Sequence, residues 1–153
     1  MRFIADAMLG RLARWLRLVG FDTLYFRDIS DSVLLKIALK EHRFILTKDT
    51  HFLRMRSQKE CLLITSDNPI EQLSEVIRAL NPVFPERGRC AGCNGELLDV
   101  KTKTEIQNAV PEYVYMNYSR FLRCGDCGNI YWEGSQYRRF KEMLSCIMED
   151  IQK

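Results

Sequence analysis

Asp6, Asp28, Asp31, Asp49 and Asp67 stand where short apolar runs give out, and four of the six cysteines fall into two pairs, Cys90-x-x-Cys93 and Cys124-x-x-Cys127. Both patterns point to metal chemistry, of two different kinds. Carboxylates collected from separate strand ends repel one another unless a divalent cation neutralises them, and Mg²⁺ or Mn²⁺ suits oxygen ligands. Such a site can activate water and stabilise the charge that builds up in phosphodiester hydrolysis. Asp6 and Asp49 are the stronger candidates, since each ends a strand that reads as buried. Asp28 and Asp31 suit a turn and a helix start equally well, and Asp67 suits a loop before a helix cap.

Arg11, Arg14 and Arg17 are spaced i, i+3, i+6 on the helix expected just after Asp6, on a flank distinct from its apolar stripe. They either hold phosphates beside the metal or form a solvated helix face. His42 and His51 read as surface or helix-end residues, with His51 close enough to Asp49 to meet a substrate.

In a cysteine pair, the x-x spacing lets two sulfurs reach one tetrahedral ion, and glycine opens the tight backbone between them. In a reducing cytosol the four thiols read as a structural zinc site rather than a disulfide framework, with a redox dithiol or an iron–sulfur centre as the alternatives. Cys61, inside an apolar strand, and Cys146, on the last helix, read as packing residues.

Residues 1–80 alternate strand and helix. Arg2-Phe3-Ile4-Ala5, Thr23-Leu24-Tyr25-Phe26, Phe44-Ile45-Leu46-Thr47 and Cys61-Leu62-Leu63-Ile64-Thr65 read as strands. Leu9, Leu12, Ala13, Leu16 and Val19 mark one helix and Leu34, Ile37 and Ala38 a second. Ser30 suits an N-cap. Asn68, Pro69 and Glu71 form a capping pattern for a third helix reaching about Leu80. Repeated strand–helix units predict an α/β fold with a central parallel sheet covered by helices.

The stretch 81–89, with Pro82, Pro85 and Gly88, reads as a linker between a domain at 1–80 and a smaller one at 90–153. In the latter, Tyr113-Val114-Tyr115 and Asn129-Ile130-Tyr131-Trp132 read as strands, and Phe140, Met143, Leu144, Ile147 and Ile151 as one face of a closing helix. Arg120, Arg123, Arg138 and Arg139 mix there with Tyr113, Tyr115, Tyr118, Phe121, Tyr131, Trp132 and Tyr137, a combination that either clamps single-stranded RNA or fills a small core.

Composition bounds these readings. The chain has 153 residues, of which 46% are hydrophobic, so it can bury a core and is not a disordered tail. No apolar run approaches the roughly 20 residues of a membrane helix. Asp6, Arg11, Arg14 and Arg17 interrupt any signal-peptide core, which makes the cytoplasm the expected compartment. The formal charge is +3, with 13 Lys+Arg against 10 Asp+Glu in residues 1–80 and 10 against 10 in residues 81–153. The basic excess lies in the half that carries the aspartates, which permits a polyanionic partner.

Phe3-Ile4-Ala5-Asp6-Ala7-Met8-Leu9-Gly10-Arg11-Leu12-Ala13-Arg14-Trp15-Leu16-Arg17, Gly20-Phe21-Asp22-Thr23, Leu46-Thr47-Lys48-Asp49 and Cys124-x-x-Cys127-Gly128-x-x-Tyr131-Trp132-x-Gly134-Ser135 together resemble the PIN-like RNase family named from the C-terminus of mut-seven exonucleases. The resemblance runs over nearly the whole chain. It implies a PIN-like three-layer fold with an appended zinc ribbon, and Mg²⁺- or Mn²⁺-dependent cleavage of RNA. Asp6, Asp31 and Asp49 match the acidic triad of that group. Where related sequences often carry another acid, this chain has His51, so Asp67 would supply any fourth carboxylate. The expected function is a metal-dependent endoribonuclease, whose zinc ribbon and arginine helix position RNA. The rival expectations are a non-catalytic RNA-binding module and a toxin-type PIN RNase.

Overall fold

Phe3, Ile4 and Ala5 are completely buried in the first strand, β1 (Arg2–Ala5), and the chain then builds outward from it on both sides. The computed structural model describes residues 1–54 and 60–153. After β1 come α1 (Gly10–Val19), β2 (Asp22–Tyr25), α2 (Asp31–Glu41), β3 (Phe44–Thr47), α3 (His51–Arg54), β4 (Cys61–Leu63) and α4 (Pro69–Leu80). The four strands are parallel in the order β2-β1-β3-β4, which confirms the expected α/β fold with a central parallel sheet.

In α1, α2 and α4 most of the stripe that sequence periodicity marks is buried. Leu12, Ala13 and Leu16 of α1 are fully buried, as are Leu73 and Val76 of α4. Leu34 and Ala38 of α2 join Ile4, Ile45 and Phe52 in one cluster. Each such Leu, Ile, Val or Phe side chain contributes about 1.5–3 kcal/mol, and each alanine less. The caps follow the local chemistry: Ser30 accepts from the Val33 amide, and Asn68 accepts from the Ile70 amide with Pro69 in the first turn.

Two compact units divide the chain, Met1–Asn94 and Gly95–Lys153. Within the first, the residues after α4 lie along the end of α1. The Arg89 amide donates to the Arg17 carbonyl at 2.7 Å, and the Phe84 ring meets Phe21 at 5.7 Å. Gly20 ends α1 at φ +117°, where a Cβ would come within 2.5 Å of the Arg87 carbonyl oxygen, so only glycine fits.

At the opposite end of the sheet from the aspartates, Arg43 is 5% exposed and grips Asp22 with two nitrogens, at 2.7 and 3.2 Å, while also donating to Glu41 and the Phe3 carbonyl. Burial alone would push the Asp22 carboxyl up, but hydrogen bonds from Arg43 and Asn94 and the Arg43 charge outweigh it and hold the group below its usual value. A carboxylate depressed by folding stabilises the protein above its unfolded pKa, and that stability is lost as pH falls through the folded value. Urea unfolding between about pH 6 and pH 3 should therefore show a steeper loss for the wild type than for Asp22→Asn, which lacks the titrating group. Equal slopes would remove Asp22 from the acid response.

The second unit pairs β5 (Leu97–Asp99), β6 (Leu122–Cys124) and β7 (Ile130–Tyr131) in one antiparallel sheet. Its core is small: Ile106, Val110 and Phe121, with Val100, Tyr115, Ile130 and Trp132 packed around them. Tyr113-Val114-Tyr115, expected as a strand, lies instead in α5 (Glu112–Asn117), which starts after Pro111. Proline suits the position before a first helical turn, and this local start outweighs the β propensity of three adjacent aromatic and branched residues. The closing helix is α6 (Ser135–Gln152). Among the described residues, no helix is long and apolar enough to cross a membrane.

Candidate functional site

The chain leaves β1 to form β2 on one side and returns to place β3 on the other. The carboxyl ends of β1 and β3 therefore border the point where the strand order reverses, the usual ligand crevice of an open parallel sheet. Asp6 follows β1 directly. Its amide donates to the Leu46 carbonyl at 3.0 Å, which fixes the two strand ends side by side. One carboxylate oxygen, Oδ1, accepts from the Met8 amide at 2.9 Å and caps the single turn Ala7–Leu9. The other, Oδ2, accepts from the Thr47 hydroxyl and from the Lys48 amide, both at 2.7 Å.

Thr47 is fully buried, and its hydroxyl also accepts from the Asp49 amide at 3.0 Å. A single oxygen thus joins Asp6 to Asp49. Asp49 is exposed, with Oδ1 accepting from the His51 amide at 2.8 Å, where α3 begins. Thr47 was not among the residues expected from sequence to serve the site. Its signal there is a polar, β-branched residue closing an apolar strand two positions before an aspartate, which only the register of β1 against β3 turns into a bridge.

Beyond β3, the Ile64 amide donates to the Thr47 carbonyl at 2.7 Å and ties in the end of β4. Lys48 reaches across to the Ser66 carbonyl at 3.3 Å and forms an ion pair with Asp67. The Lys48 hydrogen bond and charge hold the Asp67 carboxyl below its usual range. Glu75 accepts from the Thr65 and Ser66 amides and so shapes this turn.

Asp31 is the first residue of α2 and exposed, a favourable place for a negative charge at a helix N-terminus, and Asp28 is exposed in the loop before it. Arg11 and Arg14 are exposed on α1. Arg17, expected with them as a phosphate contact, is only 5% exposed and donates to the carbonyls of Thr23, Ala91 and Gly92 at 2.8, 3.0 and 3.1 Å. The helix turn carries its side chain onto the buried stripe, so it does not join Arg11 and Arg14 on one solvent face.

Cys90, Cys93, Cys124 and Cys127 bring their sulfurs within 4.8 Å of one another. A tetrahedral Zn²⁺ with bonds of about 2.3 Å has ligands about 3.8 Å apart, so all four fit one ion. The backbone is built for it. The Asn94 amide donates to the Cys90 carbonyl, the Gly128 amide to the Cys124 carbonyl, and Gly128 takes φ +78°. At Gly95 a Cβ would lie 2.7 Å from the Cys124 sulfur. Among the described residues this is the group of three or more His, Cys, Asp or Glu side chains gathered so closely, and Asp6, Asp31 and Asp49 do not form a second one. Burial, and after it the Asp6 charge, pushes the Cys61 thiol up, in keeping with a packing role.

A parallel α/β sheet with acidic residues at its carboxyl edge and a four-cysteine metal-binding cluster defines the class of protein. The family follows from comparison: the Mut7-C RNAse domain family matches residues 1–144, and the chain belongs to it. Membership gives the chain a ribonuclease-type function, with RNA as its substrate. No curated protein and no solved structure matches it.

Proposed function

We propose that the protein is a PIN-like, Mg²⁺- or Mn²⁺-dependent endoribonuclease of the cytoplasm, with its reaction centre at Asp6, Asp31 and Asp49 and with a zinc ribbon stabilising its second unit. The observation that carries this reading is the Thr47 hydroxyl joining Asp6 to Asp49 at the switch point of the sheet. The donor set suits such an ion. A carboxylate has about four acceptor positions, and the hydrogen bonds to Asp6 leave capacity on it, while on Asp49, among the described residues, Oδ1 accepts from the His51 amide and Oδ2 has no hydrogen bond. A divalent ion bound there would supply Lewis-acid polarisation of a phosphoryl oxygen and activation of water.

The protein's own groups orient and attract. Thr47 and the Lys48 amide hold one face of Asp6 and thereby aim the carboxylate. Arg11 and Arg14, on the helix that starts just past Asp6, suit backbone phosphates. Charge also favours the first unit as the RNA-bearing one. Residues 1–94 carry 15 Lys+Arg and 11 Asp+Glu, or +4, whereas residues 95–153 carry 8 and 9, or −1. Asp67, neutralised by Lys48, serves better as the anchor of that lysine than as a fourth ligand.

The test is cleavage of single-stranded and hairpin RNA before and after treatment with a chelator too weak to remove zinc. Activity should vanish and return with Mn²⁺ or Mg²⁺ while zinc content stays constant. Cleavage that survives removal of both ions would overturn the reading.

A further inference from the structure

Two buried polar side chains of the first unit grip the loop that carries the first cysteine pair. Arg17, at the end of α1, places Nη1 on the carbonyls of Ala91 and Gly92, the two residues between Cys90 and Cys93, while its Nε holds the Thr23 carbonyl. Asn94, 7% exposed at φ 70°, follows Cys93 directly. Its amide oxygen accepts from the Thr23 amide at 3.0 Å, and its Nδ2 donates to Asp22 at 2.7 Å. Arg89, one residue before Cys90, donates from Nε to the Asn94 carbonyl at 2.8 Å. The cysteine loop is thus held at its start, middle and end by β2 and the last turn of α1.

We propose that Arg17 and Asn94 are positioning residues for the metal held by the four cysteines, Arg17 serving also as a nearby countercharge. Four thiolates on one Zn²⁺ leave about two negative charges, and a guanidinium on the carbonyls inside the ligand loop offsets part of them. Groups that orient metal ligands in this way commonly govern metal affinity about 10–100-fold. The forked donor geometry matters alongside the charge, because one guanidinium serves three carbonyls with fixed angles and an ammonium cannot. The coupling runs both ways: a metal that favours this loop conformation also favours the α1 end and β2.

The test compares zinc affinity, by competition with a chromophoric chelator, in the wild type, Arg17→Gln, Arg17→Lys and Gln72→Ala. Gln72 is as buried as Arg17, but its side chain donates to the Ser66 carbonyl and, among the described hydrogen bonds, touches neither the ligand loop nor Asp22, to which Asn94 is tied. Arg17→Gln should weaken zinc binding on the order of 10–100-fold, Arg17→Lys less, and Gln72→Ala by no more than about threefold. Equal losses in Arg17→Gln and Gln72→Ala would reduce Arg17 to a general stabilising residue and overturn the proposal. A second measurement needs no variant. Removing zinc from the wild type should speed hydrogen exchange at the Thr23 amide, and unchanged exchange there would also overturn it. Wild-type metal analysis separates this failure from absence of zinc itself, and neither readout depends on RNA cleavage.

Discussion

Asp6→Asn is expected to lower RNA cleavage on the order of 10³-fold, about 4 kcal/mol of transition-state stabilisation. Asparagine keeps the shape of the side chain and removes the charge. Its single oxygen can still accept from the Thr47 hydroxyl and the Lys48 amide, but its NH₂ group would then face the Met8 amide, donor against donor. One unpaired donor at a partly open site costs about 1–3 kcal/mol, enough to lower the unfolding midpoint but not to unfold the chain. Loss of activity should therefore far exceed loss of stability. Single-turnover cleavage rates set beside urea unfolding of the same sample separate the two. Unchanged cleavage would remove Asp6 from the reaction.

Cys124→Ser carries the largest expected effect on folding. Structural zinc supplies about 10–16 kcal/mol of apparent binding free energy in small zinc modules, comparable with a typical domain's whole stability margin. The second unit has little to replace it, since Ile106, Val110 and Phe121 are its buried apolar cluster, and units of this size rarely stand on their core alone. Cys124 is itself buried beside Gly95, so a serine there would also place a hydroxyl in a space shaped for sulfur. Metal analysis should return about one zinc per wild-type chain and far less for the variant. Hydrogen exchange should show protection lost at β5 and β6. A variant with full protection in those strands would show that the metal does not hold the unit together.

The first four strands, the caps at Ser30 and Asn68 and the cysteine cluster were legible because each rests on local patterning: apolar runs, 3.6-residue periodicity, a capping residue, an x-x spacing. Asp6 and Asp49 were legible as strand ends. Thr47 was not, because its bridge depends on register between β1 and β3, residues more than forty positions apart in the chain. Arg17 misled for a related reason. The i, i+3, i+6 spacing turns about 600° from Arg11 to Arg17, which leaves the two about 120° apart around the helix, and only tertiary packing decides that the last of the three lies under the cysteine loop. Tyr113-Val114-Tyr115 shows propensity overridden by a local helix start after Pro111.

The acidic centre is the claim on which the proposed activity depends, and diffraction from crystals soaked in Mn²⁺ tests it most directly. Anomalous difference density should place manganese in direct contact with Asp6 and Asp49 carboxylate oxygens, beside Thr47, with Asp31 as a ligand or one water away. Manganese bound elsewhere, with no density at Asp6, would contradict the account.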